Sequence, residues 1–109
     1  MARSDALQGA LPMLVLKILA RRGPLHGYAI TTQIETVSSE VLRVEEGSLY
    51  PALHRLEESR LVKARWVVTA NKRRARVYEI TDAGSRQLEA EEKRWRMVTL
   101  AVSQVLERM

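Results

Sequence analysis

Four of the five residues in Lys72-Arg73-Arg74-Ala75-Arg76 are cationic, and they belong to a longer run. Between Arg60 and Val77 the chain carries seven cations (Arg60, Lys63, Arg65, Lys72, Arg73, Arg74 and Arg76) and no acid. Charges this dense repel one another unless a polyanion lies against them, and a phosphate backbone or a minor groove supplies that counter-charge. A second segment, Glu46 to Glu58, has complementary chemistry. With Leu49, Leu53 and Leu56 turned inward at i, i+4, i+7, a helical wheel turns Ser48, Pro51, His54, Arg55 and Glu58 outward, with Tyr50 at the edge. Such a face suits the major groove, where an arginine can fork onto guanine and helix N-terminal N–H groups favour phosphate. Each feature also has a plainer reading: a solvated basic turn for the first, an ordinary amphipathic surface helix for the second.

Other chemistry is poorly supplied. His26 and His54 are the only histidines, there is no cysteine, and no His-Glu-x-x-His or Gly-x-Ser-x-Gly pattern occurs. Ser48 stands in Glu-Gly-Ser-Leu, the setting of a helix cap and not of a nucleophile elbow. His26 precedes Gly27 at a helix start, where capping or a phosphate contact is the expectation. Glu57-Glu58 lacks a converging metal partner, and no glycine-rich phosphate loop is present. No catalytic residue, metal site or cofactor is therefore expected, and the chain does not read as an enzyme.

Eighteen lysines and arginines against thirteen acids give 109 residues a net charge of +5. The flanks of the basic run are nearly balanced, so the excess sits on one local feature. That is a statement about binding more than about solubility. The length suits one domain able to bury a modest core. No apolar run approaches the roughly 20 residues that span a bilayer. The apolar start is interrupted by Gln8, Pro12, Lys17, Arg21 and Arg22 with no cleavage site after it, which argues against a secretory leader and makes the cytoplasm the expected location.

These residues need elements to position them. A first helix is expected from about Ala10, with Pro12 in its first turn and Leu11, Leu14, Val15, Ile18 and Leu19 as its buried stripe; Gly23-Pro24 ends it. A second runs from Gly27 to Val37 with Tyr28, Ile30, Ile34 and Val37 as core. A connector from Glu40 to Glu46, with a short extended piece at Val41-Leu42, leads to a third helix opened by Gly47-Ser48. Ser48 is its expected N-cap and Pro51 falls in its first turn. Val62, Ala64, Trp66 and Val68 alternate with Lys63, Arg65 and Val67 as a strand. A turn over Thr69 to Arg73, with Asn71 in the left-handed position, returns the chain as a strand from Arg74 to Ile80.

The last helix opens at Thr81-Asp82 and runs almost to Met109, roughly 40 Å. Leu88, Trp95, Val102 and Met109 share one heptad position and Val98 and Val105 the other, with Glu91 interrupting the second set. With Leu106, these form a seam that a small domain would leave uncovered, so the same helix of a second chain is the expected cover. Packing back onto the first helix is the alternative, and both can hold together. An indole at such a seam could also wall a site for a flat aromatic effector, with simple interface packing as the competing reading of Trp95. The fold class is mainly α with a small β-hairpin (α+β): a winged helix-turn-helix over residues 1–81 and a dimerisation helix over 82–109.

Leu25-His26-Gly27-Tyr28, Glu46-Gly47-Ser48-Leu49-Tyr50-Pro51-Ala52-Leu53, Leu56-Glu57, Arg73-Arg74-Ala75-Arg76-Val77-Tyr78 and Thr81-x-x-Gly84 together resemble the PadR family of transcriptional regulators, over nearly the whole chain from about Leu7. The single long terminal helix resembles the short-tailed branch of that family. The resemblance implies a dimeric repressor on double-stranded DNA with a near-palindromic, inverted-repeat operator. By position, Ser48, Tyr50, Pro51, His54 and Arg55 would form the recognition helix, Asn71, Lys72, Arg73, Arg74 and Arg76 the wing, and Leu88 to Met109 the dimer helix. Two departures stand out: Arg60 occupies a usual glycine position, and Val77 a position that is often aromatic. A winged module for binding protein or RNA, without operator specificity, would share the fold and the charge.

Overall fold

The computed structural model describes residues 5–109. Residues 1–4, on which the leader question partly rests, lie outside the described residues.

Helix α1 (Asp5–Arg22) forms the centre of the molecule, with Leu11, Val15, Leu16 and Leu19 all at 3% exposure or less. It starts earlier than expected, so Pro12 lies in its interior and not in its first turn. The ring removes one helix hydrogen bond, but the Ala- and Leu-rich sequence before it favours helix strongly enough to continue through. Gly23 follows in the left-handed conformation (φ 82°) and its N–H closes the helix on the Leu19 carbonyl at 3.0 Å.

Strand β1 (Leu25–His26) was not foreseen, because two residues carry no periodicity. Helix α2 (Gly27–Val37) follows directly and buries Gly27, Ile30, Thr31 and Ile34. Tyr28 and Val37, expected in the core, are 75% and 66% exposed. They lie on the flanks of the one stripe that an 11-residue helix can press against its neighbours. The connector has no extended piece at Val41-Leu42. Ser38 turns the chain there, its carbonyl accepting from Val41 N and its Oγ from Leu42 N, both at 3.1 Å. Val44 then drops into the core, its N–H held by Glu35 Oε2 at 3.2 Å.

Helix α3 spans Glu46–Glu58 with Glu45, not Ser48, as N-cap. The Glu45 carbonyl accepts from both Ser48 N and Leu49 N at 2.9 Å, which moves the cap three residues earlier than expected. Pro51 therefore falls beyond the first turn, on the exposed side, where solvent can reach the carbonyl it leaves unbonded. Strands β2 (Val62–Val68) and β3 (Arg74–Ile80) pair antiparallel from Val62↔Ile80 to Val68↔Arg74, and β1 adds to β3 through Leu25↔Tyr78, giving the order β1-β3-β2.

Helix α4 (Asp82–Arg108) is capped by Thr81, whose Oγ1 accepts from Gly84 N at 3.0 Å and donates to the Arg60 carbonyl at 2.8 Å. Gly84 is required by proximity: a Cβ there would collide with the Leu61 carbonyl and the Ile80 side chain. Leu88 reaches the common core and Lys17 Nζ pairs with Glu92 Oε2 at 3.1 Å, so the first turns of α4 pack on α1. Beyond them α4 projects. The molecule measures 58 × 32 × 21 Å, with a radius of gyration of 15.3 Å, against about 13 Å for a compact chain of this length.

Candidate nucleic-acid interface

Helix α3 is amphipathic for a simple reason: Leu49, Ala52, Leu53 and Leu56 face α1 and the sheet. That leaves Pro51, His54, Arg55 and Glu58 exposed and Ser48 half-buried. His54 Nε2 lies 3.4 Å from Glu58 Oε2. Arg55 has no side-chain partner among the described residues, and it lies in the last turn of α3, about 10 Å along the axis from Ser48. The polar face therefore spans most of the helix and is not confined to its N-terminus.

Tyr50 fixes how α3 meets α2. A Cβ on Gly27 would come within 2.6 Å of the Tyr50 hydroxyl, so only glycine lets the first turn of α2 approach that ring. His26 caps α2, its Nδ1 accepting from Ala29 N at 3.3 Å, which realises the capping role and requires that nitrogen to be unprotonated.

The wing tip is closed by Thr69, whose N–H donates to the Arg73 carbonyl at 2.8 Å and whose carbonyl accepts from Lys72 N at 2.9 Å. The left-handed residue is Lys72 (φ 62°), not Asn71; the turn bonds set the position of positive φ and override the asparagine preference. Asn71, Lys72, Arg73 and Arg74 are all exposed. Two of the seven cations in the run are answered by acids just outside it: Arg65 by Glu79 at 3.3 Å and Arg76 by Glu57 at 2.8 Å. Arg76 thus ties the wing to α3.

Trp66 and Val68 share a strand face with Val62. Both are exposed, at 53% and 72%, whereas Val62 on the same face is 2% exposed. The face is continuous but the helices beneath it end, so the apolar pattern runs out onto the wing. There the Arg74 guanidinium lies 4.6 Å and that of Arg76 5.4 Å from the centre of the Trp66 ring. Tyr78, one step inward, is buried, and burial pushes its hydroxyl up from its ordinary value, with Arg76 pulling the other way.

These elements enclose an open cleft of about 970 Å³, lined by His26, Tyr28 and Tyr50 from the helical side and by Trp66, Arg73, Arg74 and Arg76 from the wing. Sequence reasoning missed Trp66 and Tyr28 as parts of this cleft, and Glu57 as the acid that holds Arg76. Trp66 was within reach: a turn over Thr69 to Arg73 pairs Val68 with Arg74 and hence Trp66 with Arg76.

On α4, Leu88 is 7% exposed in the chain's own core, so it has no surface for a second chain. It lies too near the start of α4, where α1 covers that face. Trp95, Val98, Val102, Val105, Leu106 and Met109 are between 43% and 98% exposed along the projecting part. Among the described residues no three His, Asp or Glu side chains are grouped to hold a metal ion, and no helix is long and apolar enough to cross a membrane.

The chain is similar to proteins already described. It is 49% identical over 79 residues to a 37.1 kDa protein in transposon TN4556 of Streptomyces fradiae, covering 72% of this chain but only 21% of that relative. It superposes on a PadR-like transcriptional regulator from Bacillus cereus with a TM-score of 0.81 and 29% identity, over 97% of this chain and 100% of the other. On the crystal structure of Bacillus subtilis PadR in complex with operator DNA the TM-score is 0.66 at 26% identity, over 74% of this chain and 45% of that one. The winged-helix α+β fold read from the sequence is shared with these regulators. Residues 15–90 match the transcriptional regulator PadR-like family, and the chain belongs to it.

Proposed function

We propose that this chain is a homodimeric repressor that binds a near-palindromic operator, with residues 1–81 reading DNA and the exposed part of 82–109 joining the two chains. The observation that carries the reading is one cleft onto which Tyr50 of α3 and Arg73, Arg74 and Arg76 of the wing open together. Arg73 and Arg74 in the cleft, and Lys72 beside it at the wing tip, are exposed without a carboxylate partner among the described residues. Bacillus subtilis PadR, to which this chain is similar, is known in complex with operator DNA, and this supports DNA as the partner. Two α3 helices in successive major grooves would sit about 34 Å apart, which requires an inverted repeat. The uncovered seam from Trp95 to Met109 supports the dimer.

The test is fluorescence anisotropy with duplexes from upstream of the chain's own gene, with competitor DNA, across a salt series. One inverted repeat should bind tightly as two chains per site, with log K falling by about five or more per log unit of salt. Weak, sequence-blind binding would instead favour an interaction module of the same fold. Trp95 would wall an effector site if planar aromatics quench its fluorescence at saturable concentrations.

A further inference from the structure

We propose that Trp66 is the positioning residue of the wing: it holds Arg74 with its guanidinium face on the indole and its N–H groups free to take DNA phosphate. This rests on the DNA-binding reading above and goes beyond it by assigning different work to neighbouring cations.

Four cations occupy the wing between Lys72 and Arg76, and they are held in three different ways. Lys72 and Arg73 sit exposed at the tip with no side-chain partner among the described residues, so nothing described there fixes their side chains before they bind. Arg76 is consumed internally, with Nη2 on Glu57 Oε2 at 2.8 Å. Arg74 is held without being consumed: its guanidinium carbon lies 4.6 Å from the Trp66 ring centre and it has no carboxylate partner among the described residues. A ring face attracts the cation through its quadrupole and accepts none of the five N–H donors. Arg74 is therefore ordered before DNA arrives, and ordering a long side chain beforehand removes a cost that binding would otherwise carry.

The position of the ring follows from register. Trp66 pairs directly with Arg76 and lies diagonal to Arg74 on the same sheet face. Arg76 in turn is anchored to α3 through Glu57, so the stack is referenced to α3 and not only to the exposed tip. A tryptophan left 53% exposed on a strand face that is apolar one step inward needs such a use.

The experiment uses the full chain and the same anisotropy salt series, on operator and on random duplex. Trp66→Leu keeps an apolar, strand-compatible side chain but has no ring face; Trp66→Phe keeps the face. Trp66→Leu should weaken both duplexes about equally, by roughly three- to tenfold per wing, with the salt slope unchanged because the charge remains. Trp66→Phe should recover most of that loss. Arg74→Ala should weaken binding and flatten the slope by about 0.9 per lost phosphate contact. In the Arg74→Ala background, Trp66→Leu should have no further effect.

An undiminished effect of Trp66→Leu in that background would overturn the proposal, because the tryptophan would then act on the fold and not through Arg74. Binding by Trp66→Leu equal to that of the parent, or by Trp66→Phe as weak as Trp66→Leu, would also overturn it. If the parent chain itself shows no salt-dependent binding to either duplex, the DNA-binding reading has failed and the assignment falls with it. A parent that binds alongside additive variants removes only the role of Trp66.

Discussion

Two elements of this chain overrun its core, and they do so with opposite chemistry. The sheet face that begins at Val62 continues past Ala64 to Trp66 and Val68, and α4 continues past Leu88 to Met109. In both cases a periodic apolar pattern extends further than the helices that could cover it. On the wing the exposed indole is met by the chain's own guanidinium groups, and the surface that results is cationic and suited to water and phosphate. On α4 no described residue meets the exposed aliphatic seam; Val98, Val102 and Val105 are 52%, 51% and 61% exposed in a row. Apolar area of that extent is unfavourable in water. One overrun is answered within the chain, whereas the other is left open among the described residues, which is the basis of the proposed dimer.

The largest effects should come from breaking the apolar overrun. If α4 forms the proposed two-fold seam, replacing Val102 and Val105 together with glutamate places four like charges there and should cost association at least about 4 kcal/mol. Sedimentation should then find monomers, the melting temperature should lose its dependence on concentration, and operator binding should collapse toward the half-site level. A variant that remains dimeric would locate the interface elsewhere. On the cationic overrun, replacing Arg73 and Arg74 with alanine should weaken operator and random DNA alike by about ten- to a hundredfold and flatten the salt slope, while the dimer persists. Unchanged binding would remove the wing from the interface.

That asymmetry also explains what could be read in the sequence. Period and spacing identify which face of an element is apolar, and they placed α2 at Gly27–Val37 and the two long strands at their observed bounds. They do not say where the covering layer stops. The alternation from Val62 to Val68 therefore gives no sign that Trp66 and Val68 are uncovered, and Leu88 is expected at the interface although α1 covers it. Tyr28 and Val37 failed for a related reason, since a helix packed on one stripe exposes its flanking apolar residues. Strand β1 was illegible because its two residues pair only through the tertiary position of β3. The site was half legible: the polar face of α3 and the basic tip follow from composition and spacing. The Glu57–Arg76–Trp66–Arg74 linkage needs register, which the turn length supplies once the turn is placed.

Smaller effects should come from the junctions where each overrun leaves the core. At the wing junction Arg60 is left-handed (φ 61°), just beyond the C-cap Ser59 of α3. A non-glycine residue in that conformation costs about 1–2 kcal/mol, part of which glycine returns through its greater freedom in the unfolded chain. Arg60→Gly should therefore raise the stability read from urea unfolding by up to about 1 kcal/mol. This accounts for the position at which the family usually has glycine. A loss of stability would mean that the Arg60 side chain makes a contact worth more than the strain.

At the α4 junction the tether is electrostatic. Glu92 accepts from Arg96 at 2.8 Å and from Lys17 at 3.1 Å, and these two hydrogen bonds, Arg96 foremost, hold its carboxyl below its ordinary value of 4.5. A carboxylate whose folded value is depressed adds stability that is complete above the unfolded value and is lost as pH falls through the folded one. The contribution is therefore constant at neutral pH and fades only below about 4.5. A partly exposed pair is worth about 0.5 kcal/mol. Glu92→Gln should flatten the acid limb of the stability curve by about that amount and shift the neutral plateau down by the same. Salt should narrow the difference between the two proteins, because the pair is within reach of screening ions. If the two acid limbs instead remain parallel down to pH 3, Glu92 does not hold α4 to α1. The packing of Leu88 and the close approach at Gly84 would then alone determine the angle at which the apolar overrun leaves the core.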